Sequence, residues 1–217
     1  MKRALAVSLV IVLLAACTTK PAQPDWQVNA SSALDRYVKA YMLGDTRVEG
    51  AEFARARSEV QSTGQPALVA RAELTRCAAQ VASLVFEPCV GFEKLRADAP
   101  AAERAYADFL GGRIAPPDVA LLPAQYRGVA GAQGEAAGLR AIEDPLSRLI
   151  ASGVLMRAGR ATPDVLDAAV DTASHQGWRR PLLAWLGAQL LRAERAGAKD
   201  EALRLRRRIA LVAGQDG

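Results

Sequence analysis

Residues 144–203, DPLSRLIASGVLMRAGRATPDVLDAAVDTASHQGWRRPLLAWLGAQLLRAERAGAKDEAL, decide the fold, because the same helix-start signal returns in them at a fixed interval. Pro145, Pro163 and Pro181 each suit a first helical turn, where the N–H that proline lacks has no intrahelical partner to lose. Asp144 and Thr162 stand before two of them as side chains able to cap free backbone N–H groups. A fourth helix starts at Lys199, capped by Lys199 or Asp200, so the starts fall 18 residues apart and two helices make a unit of 36. Overlaying the units pairs Pro145-Leu146 with Pro181-Leu182, Leu149-Ile150 with Trp185-Leu186, and Leu155 with Leu191. Such a unit buries its apolar faces only by folding back on itself and stacking on its neighbour. The expectation is an all-α protein of antiparallel helix pairs, arranged as a short solenoid or a bundle.

The preceding chain carries the same helical period. Ser31 to Leu43 places Leu34, Tyr37, Val38, Tyr41 and Met42 on one face and stops at Gly44. Asp45 or Thr46 caps a second helix to about Thr63, with Phe53, Ala56 and Val60 on one side. Pro66 opens a third, whose stripe of Ala70, Leu74, Cys77, Ala78, Val81, Leu84 and Val85 ends before Pro88. A fourth starts at Asp98 with Pro100 in its first turn and carries Ala102, Ala105, Tyr106 and Phe109. Alanine leads the hydrophobic fraction of 51%, and aromatics make up only 5%. That balance suits closely packed helices, since strands favour branched and aromatic residues. About eight helices are expected in all.

Trp185-Leu186-Gly187, followed by Gly197-Ala198-Lys199-Asp200-Glu201-Ala202-Leu203, resembles the tetratricopeptide repeat. Ala40-Tyr41, Gly44-Asp45 and Ala51 are similar in the first hairpin. The resemblance implies small residues that let paired helices approach closely. The stretch from Leu186 to Gly197 is longer than the repeat's own, and no closing proline follows Leu211.

Between the two helical regions, Gly111-Gly112, Pro116-Pro117, Pro123, Gly128, Gly131, Gly134 and Gly138 leave room for a turn or two of helix around Asp118 to Val129. This stretch reads as a hinge or cover segment with no chemistry of its own. The chain thus divides into a leader at 1–16, a tether at 17–30, an N-terminal helical part at 31–110, a linker at 111–139 and a C-terminal hairpin part at 140–217.

Met1-Lys2-Arg3 is a positive start, and Ala4 to Leu14 is an uncharged apolar run too short to span a bilayer. Leu14-Ala15-Ala16-Cys17 then closes the run with small residues and resembles the bacterial lipobox. The resemblance implies lipid on the Cys17 thiol, cleavage before Cys17 and acylation of the new amino terminus. Thr18 stands where an Asp would favour the inner membrane, which implies the periplasmic face of the outer membrane. Several acyl chains make such an anchor effectively permanent. Thr19 to Ala30 has two prolines and no apolar period, so it reads as an extended tether, with Trp26 expected to dock on the folded domain.

Cys77 and Cys89 remain in an oxidising compartment, where a disulfide is expected, although Cys77 on its apolar stripe also suits a buried thiol. Net charge is +5, and +3 once Lys2 and Arg3 leave. From Trp178 onward nine Lys or Arg face four acids, a local excess of +5. Outside the cytoplasm the counterpart of such a region is an anionic lipid headgroup or an acidic protein surface, and no nucleic acid is expected.

Asp164, Asp167, Asp171 and His175 share one helix face, which reads as a solvated face, and no metal is expected there. The sequence shows no nucleophile elbow, no phosphate loop and no zinc-protease motif. Glu49, Glu52, Glu59, Glu73 and Glu103 all lie on helices with nothing marking one as buried. The stretch His175 to Pro181 is the most distinctive, and Trp178, Arg179 and Arg180 are the types that interface hot spots favour. The alternative for it is a plain helix connection with Trp178 packed on the core. The reading is a non-catalytic adaptor or scaffold without a cofactor, meeting a protein partner in envelope assembly, secretion or cell-wall maintenance. A hydrolase or lytic enzyme acting on the cell wall is the alternative.

Overall fold

The computed structural model describes residues 23–131 and 135–214, so the leader and Cys17 lie outside the described residues. Among the described residues there are eleven α-helices and no strand. They are α1 (Asp25–Leu43), α2 (Thr46–Gln61), α3 (Pro66–Ala82), α4 (Val90–Glu93), α5 (Ala101–Leu110), α6 (Ala124–Ala130), α7 (Glu135–Arg140), α8 (Pro145–Arg157), α9 (Pro163–His175), α10 (Arg179–Arg195) and α11 (Lys199–Ala213). Eight of them have ten residues or more, and consecutive long helices pack as antiparallel pairs, so the all-α fold class is as expected. None is long and apolar enough to cross a membrane.

Helix α1 begins six residues before the expected Ser31, which corrects the tether boundary. Pro24 starts the helix, its carbonyl accepting from the Gln27 N–H at 2.9 Å. Trp26, Ala30 and Ala33 extend the stripe of Tyr37 and Tyr41 backward at helical spacing. Trp26 is half-buried and packs with Ala30, Val60, Val69 and Ala72. Gly44 turns the chain with φ 85, a left-handed conformation that a Cβ would oppose, and the Asp45 carboxylate then caps α2 by accepting from the Val48 N–H at 3.1 Å.

The centre of the fold is the contact of α3 with α8. A Cβ on Gly153 would stand 2.1 Å from the Val81 carbonyl oxygen, so the two helices meet backbone against backbone. Trp185 of α10, fully buried, donates from its indole Nε1 to the Ala82 carbonyl at 3.0 Å and so satisfies the C-terminal end of α3. Helix α3 ends sooner than its apolar stripe because Leu84 takes φ 60, which lets the Val85 N–H reach the Gln80 carbonyl.

Residues 111–139 hold more structure than the expected turn or two. A 3₁₀ turn at Pro116–Leu121, then α6 and α7, bury Leu122, Tyr126, Val129 and Leu139 over α5 and α8. A Cβ on Gly138 would lie 2.6 Å from the Gly128 carbonyl oxygen, so these glycines serve close approach between α6 and α7.

Three of the last four helices start on the 18-residue rhythm, at Pro145, Pro163 and Lys199. Asp144 caps α8 through the Ser147 N–H at 2.7 Å, whereas Thr162 accepts from Val165 through its backbone carbonyl. Helix α10 starts two residues before Pro181, and Arg180 turns back onto α1 and α2.

Replacing Gly153 with Ala is expected to destabilise the protein by about 1–3 kcal/mol, because the new methyl has only the Val81 backbone to displace. On an open helix face the same change would stabilise by about 1 kcal/mol. Urea unfolding followed by circular dichroism reads the sign, and a stabilised variant would refute the backbone contact.

Candidate functional site

Four helices, α3, α5, α6 and α8, together with the 3₁₀ turn, enclose a groove of about 550 Å³. On α3, Arg71, Leu74, Thr75 and Ala78 recur at helical spacing along the edge of the buried stripe, so one flank of that helix faces the groove. Leu122 and Tyr126 come from the glycine- and proline-rich segment, and Leu146 and Ile150 from α8. The walls are apolar, and the 3₁₀ turn leaves Leu121 at the lip 42% exposed. A cavity of this size and lining suits the apolar body of a ligand or peptide side chains, with polar groups at the rim setting orientation.

The floor is a tyrosine pair. The Tyr106 and Tyr126 rings stack at 5.7 Å, with Ser147 lining the groove beside them. Burial pushes the Tyr106 hydroxyl well above the usual phenol range, and its neighbour Tyr126 adds to the shift. Burial also raises Tyr126, against the lowering effect of its neighbours Ser147 and Tyr106.

Of Glu49, Glu52, Glu59, Glu73 and Glu103, two are buried, Glu73 at 2% exposure and Glu103 at 8%. Arg71 donates from Nη2 at 2.5 Å and Nε at 3.1 Å to Oε1 of Glu103, an ion pair at the groove's rim. Glu73 lies deeper, held by Arg57 at 2.8 Å and Arg76 at 2.7 Å. A Cβ on Gly91 would fall 2.1 Å from the Glu73 carboxylate, so α4 lies directly on it. Arg76 also sits over the Phe53 ring at 4.7 Å. Both glutamates stand in register with apolar positions, Glu73 four residues before Cys77 and Glu103 four before Ala107, which is the signal that sequence reading passes over.

The Cys77 and Cys89 sulfurs are joined, with Cα atoms 5.9 Å apart, tying the chain before α4 back to α3. Trp178, Arg179 and Arg180 do not form one surface. Trp178 is half-buried against the core, and Arg180 lies over the Tyr41 ring at 4.0 Å while pairing with Glu49 at 2.7 Å. Arg179 alone is exposed, its guanidinium 3.5 Å from the Ala213 carbonyl. On α9, Asp167 accepts from Gln189 at 2.6 Å, and the His175 Nδ1 lies 2.8 Å from the Asp171 carbonyl. Among the described residues no group of His, Cys, Asp and Glu is placed to hold a metal ion.

No family model, curated protein or solved structure matches this chain. The groove is an apolar trough with the Arg71–Glu103 ion pair along one edge.

Glu73→Gln keeps the shape but leaves Arg57 and Arg76 facing an uncharged amide. Because both arginines keep about a third of their side chains in water, the expected loss is about 2–3 kcal/mol, below that of a fully buried pair. Chemical denaturation measures it, and an unchanged midpoint would show that the cluster is not structural. The tyrosines give a second expectation. Their folded hydroxyls hold protons more tightly than in the unfolded chain, so the stability they confer is complete below about pH 10 and is lost as pH rises beyond it. Ultraviolet titration is expected to show them ionising only as the helices melt; ionisation near pH 10 with the helices intact would contradict this.

Proposed function

We propose that the protein is a lipid-anchored adaptor of the bacterial envelope, held through Cys17 at the periplasmic face of the outer membrane. Its groove between α3, α5, α6 and α8 receives an apolar helical segment of a partner protein that acts in envelope assembly, secretion or cell-wall maintenance. The observation that carries this reading is the groove itself, which combines apolar walls, an exposed Leu121 at the lip and a polar rim from Arg71, Glu103 and Ser147. Grooves of this make bind amphipathic helices through apolar anchors at helical spacing, while the rim sets register.

A cell-wall hydrolase is the second reading, and one observation favours it: Glu103 is buried at the rim of the groove, where a general acid would stand. The two Arg71 donors already on its Oε1 favour a structural role for that carboxylate instead.

Photo-crosslinking in living cells tests the adaptor reading. A crosslinker at Leu121 is expected to capture a defined envelope protein, whereas one at Val90, 55% exposed and outside the groove, does not. Ala78→Arg, which puts a charge into the apolar wall, is expected to reduce capture at Leu121 at least tenfold, since an unpaired charge in an apolar contact costs more than 1.4 kcal/mol. Equal capture from both positions would sink the groove assignment. Glu103→Gln is expected to leave cell-wall turnover unchanged, and loss of muropeptide release would move the assignment to the hydrolase. Labelled palmitate is expected on the wild-type chain and not on Cys17→Ala.

A further inference from the structure

Helix α11 packs chiefly on α10. Ala202 and Leu205 are buried there, with Ile209 and Val212 half-buried beside them. On the opposite face Leu203, Arg207 and Leu211 are exposed among the described residues. They follow one another there at four-residue steps, so they form one row along the helix, with Arg204 and Arg208 as the adjacent row. Leu203 is 49% and Leu211 69% exposed. From Ala202 to Ala213 the sequence ALRLRRRIALVA contains four arginines and no acid. Arg204 is tied to Glu201 in the first turn and Arg206 to Glu194 of α10, while Arg207 and Arg208 have no acidic partner among the described residues.

We propose that this face of α11 lies on an anionic membrane surface, its leucines at the headgroup boundary and its arginines on lipid phosphates. Water-exposed leucines in a row gain free energy only when something apolar covers them, and guanidinium groups bind phosphate oxygens with two donors at once. A helix with leucines interleaved with arginines meets both needs at a lipid interface, where the arginine stems also pack on acyl chains while their heads stay at the phosphates. Protein hot spots, in contrast, are built on Trp, Tyr and Arg with leucine under-represented, and the outer face of α11 carries no aromatic residue. The face is separate from the groove, so this inference does not depend on what the groove binds.

The full chain carrying Leu211→Trp, reconstituted into vesicles with brominated acyl chains, tests it. The substitution is at an exposed position and leaves the core alone. After subtraction of the parent chain's signal, the added indole is expected to be blue-shifted and quenched on phosphatidylglycerol–phosphatidylcholine vesicles and unquenched on phosphatidylcholine alone. Arg207→Gln and Arg208→Gln are each expected to lower the docked-to-free ratio about fivefold, and high salt to release the helix. A water-exposed indole on the anionic vesicles overturns the proposal. Quenching that is equal on both lipids and indifferent to the arginines overturns it as well. A spectrum that shifts with an added acidic polypeptide but not with anionic vesicles does the same, and assigns the face to a protein.

Discussion

The Val81 carbonyl occupies the space that any side chain at position 153 would need, so α3 and α8 touch backbone to backbone. That contact fixes the separation of the two central helices, and the remaining elements take their places from it. On one side of the crossing α5, α6 and the 3₁₀ turn fill the angle between α3 and α8, and the groove is the part they leave open. Helix α10 comes close enough for the Trp185 indole to reach the end of α3. A wider crossing would lose the indole's hydrogen bond and change the groove's width together, because interiors are packed too tightly to adjust one without the other.

The buried charges play a different part. Glu73 and Glu103 each pin one helix to the flank of α3, Glu73 through guanidiniums from α2 and from α3 itself, and Glu103 from α5 through Arg71. Burying such pairs contributes little net stability, since desolvation offsets most of the attraction. They do fix register, because a helix that slides by a turn strands a carboxylate. The Gly91 backbone lying on Glu73 extends the same constraint to α4, which at four residues has little helical stability of its own.

The regular parts of this fold were legible from the sequence because their signals are local. Pro145 and Pro163 mark helix starts by chemistry that needs no partner, as does the Gly44 turn, whereas α11 starts at Lys199 after Ala198 and without the side-chain cap expected from Lys199 or Asp200. The early start of α1 was hidden because Pro24 in an otherwise polar stretch reads as a breaker until Trp26 and Ala30 are seen to continue the stripe. The segment 111–139 was misjudged for a related reason: Gly128 and Gly138 look like flexibility in a sequence, and only the approach of α6 and α7 shows them as contact points. The groove was illegible altogether, since its walls come from four helices and a 3₁₀ turn spread over some eighty residues, and no local pattern brings buried Leu74 and Tyr126 together with exposed Arg71 and Leu121. Trp178, Arg179 and Arg180 stood out by residue type as a contact surface, with a core-packed Trp178 as the alternative; Trp178 does pack on the core, and Arg180 turns inward because Tyr41 and Glu49 offer it a ring and a carboxylate that no local pattern announces.

The hydrogen bond from Trp185 to the Ala82 carbonyl joins residues 103 apart in sequence. Its consequence concerns the order in which the chain acquires its structure. Helices α1 to α3 form from near neighbours and close quickly, but the end of α3 stays unsatisfied until α10 arrives, which requires nearly the whole chain. The contacts within α1 to α3 are thus local, while the contact that completes the end of α3 is among the most distant in sequence. Until the last two hairpins have formed, the apolar flank of α3 stays uncovered, and for that interval the incomplete chain offers other chains a surface to associate with.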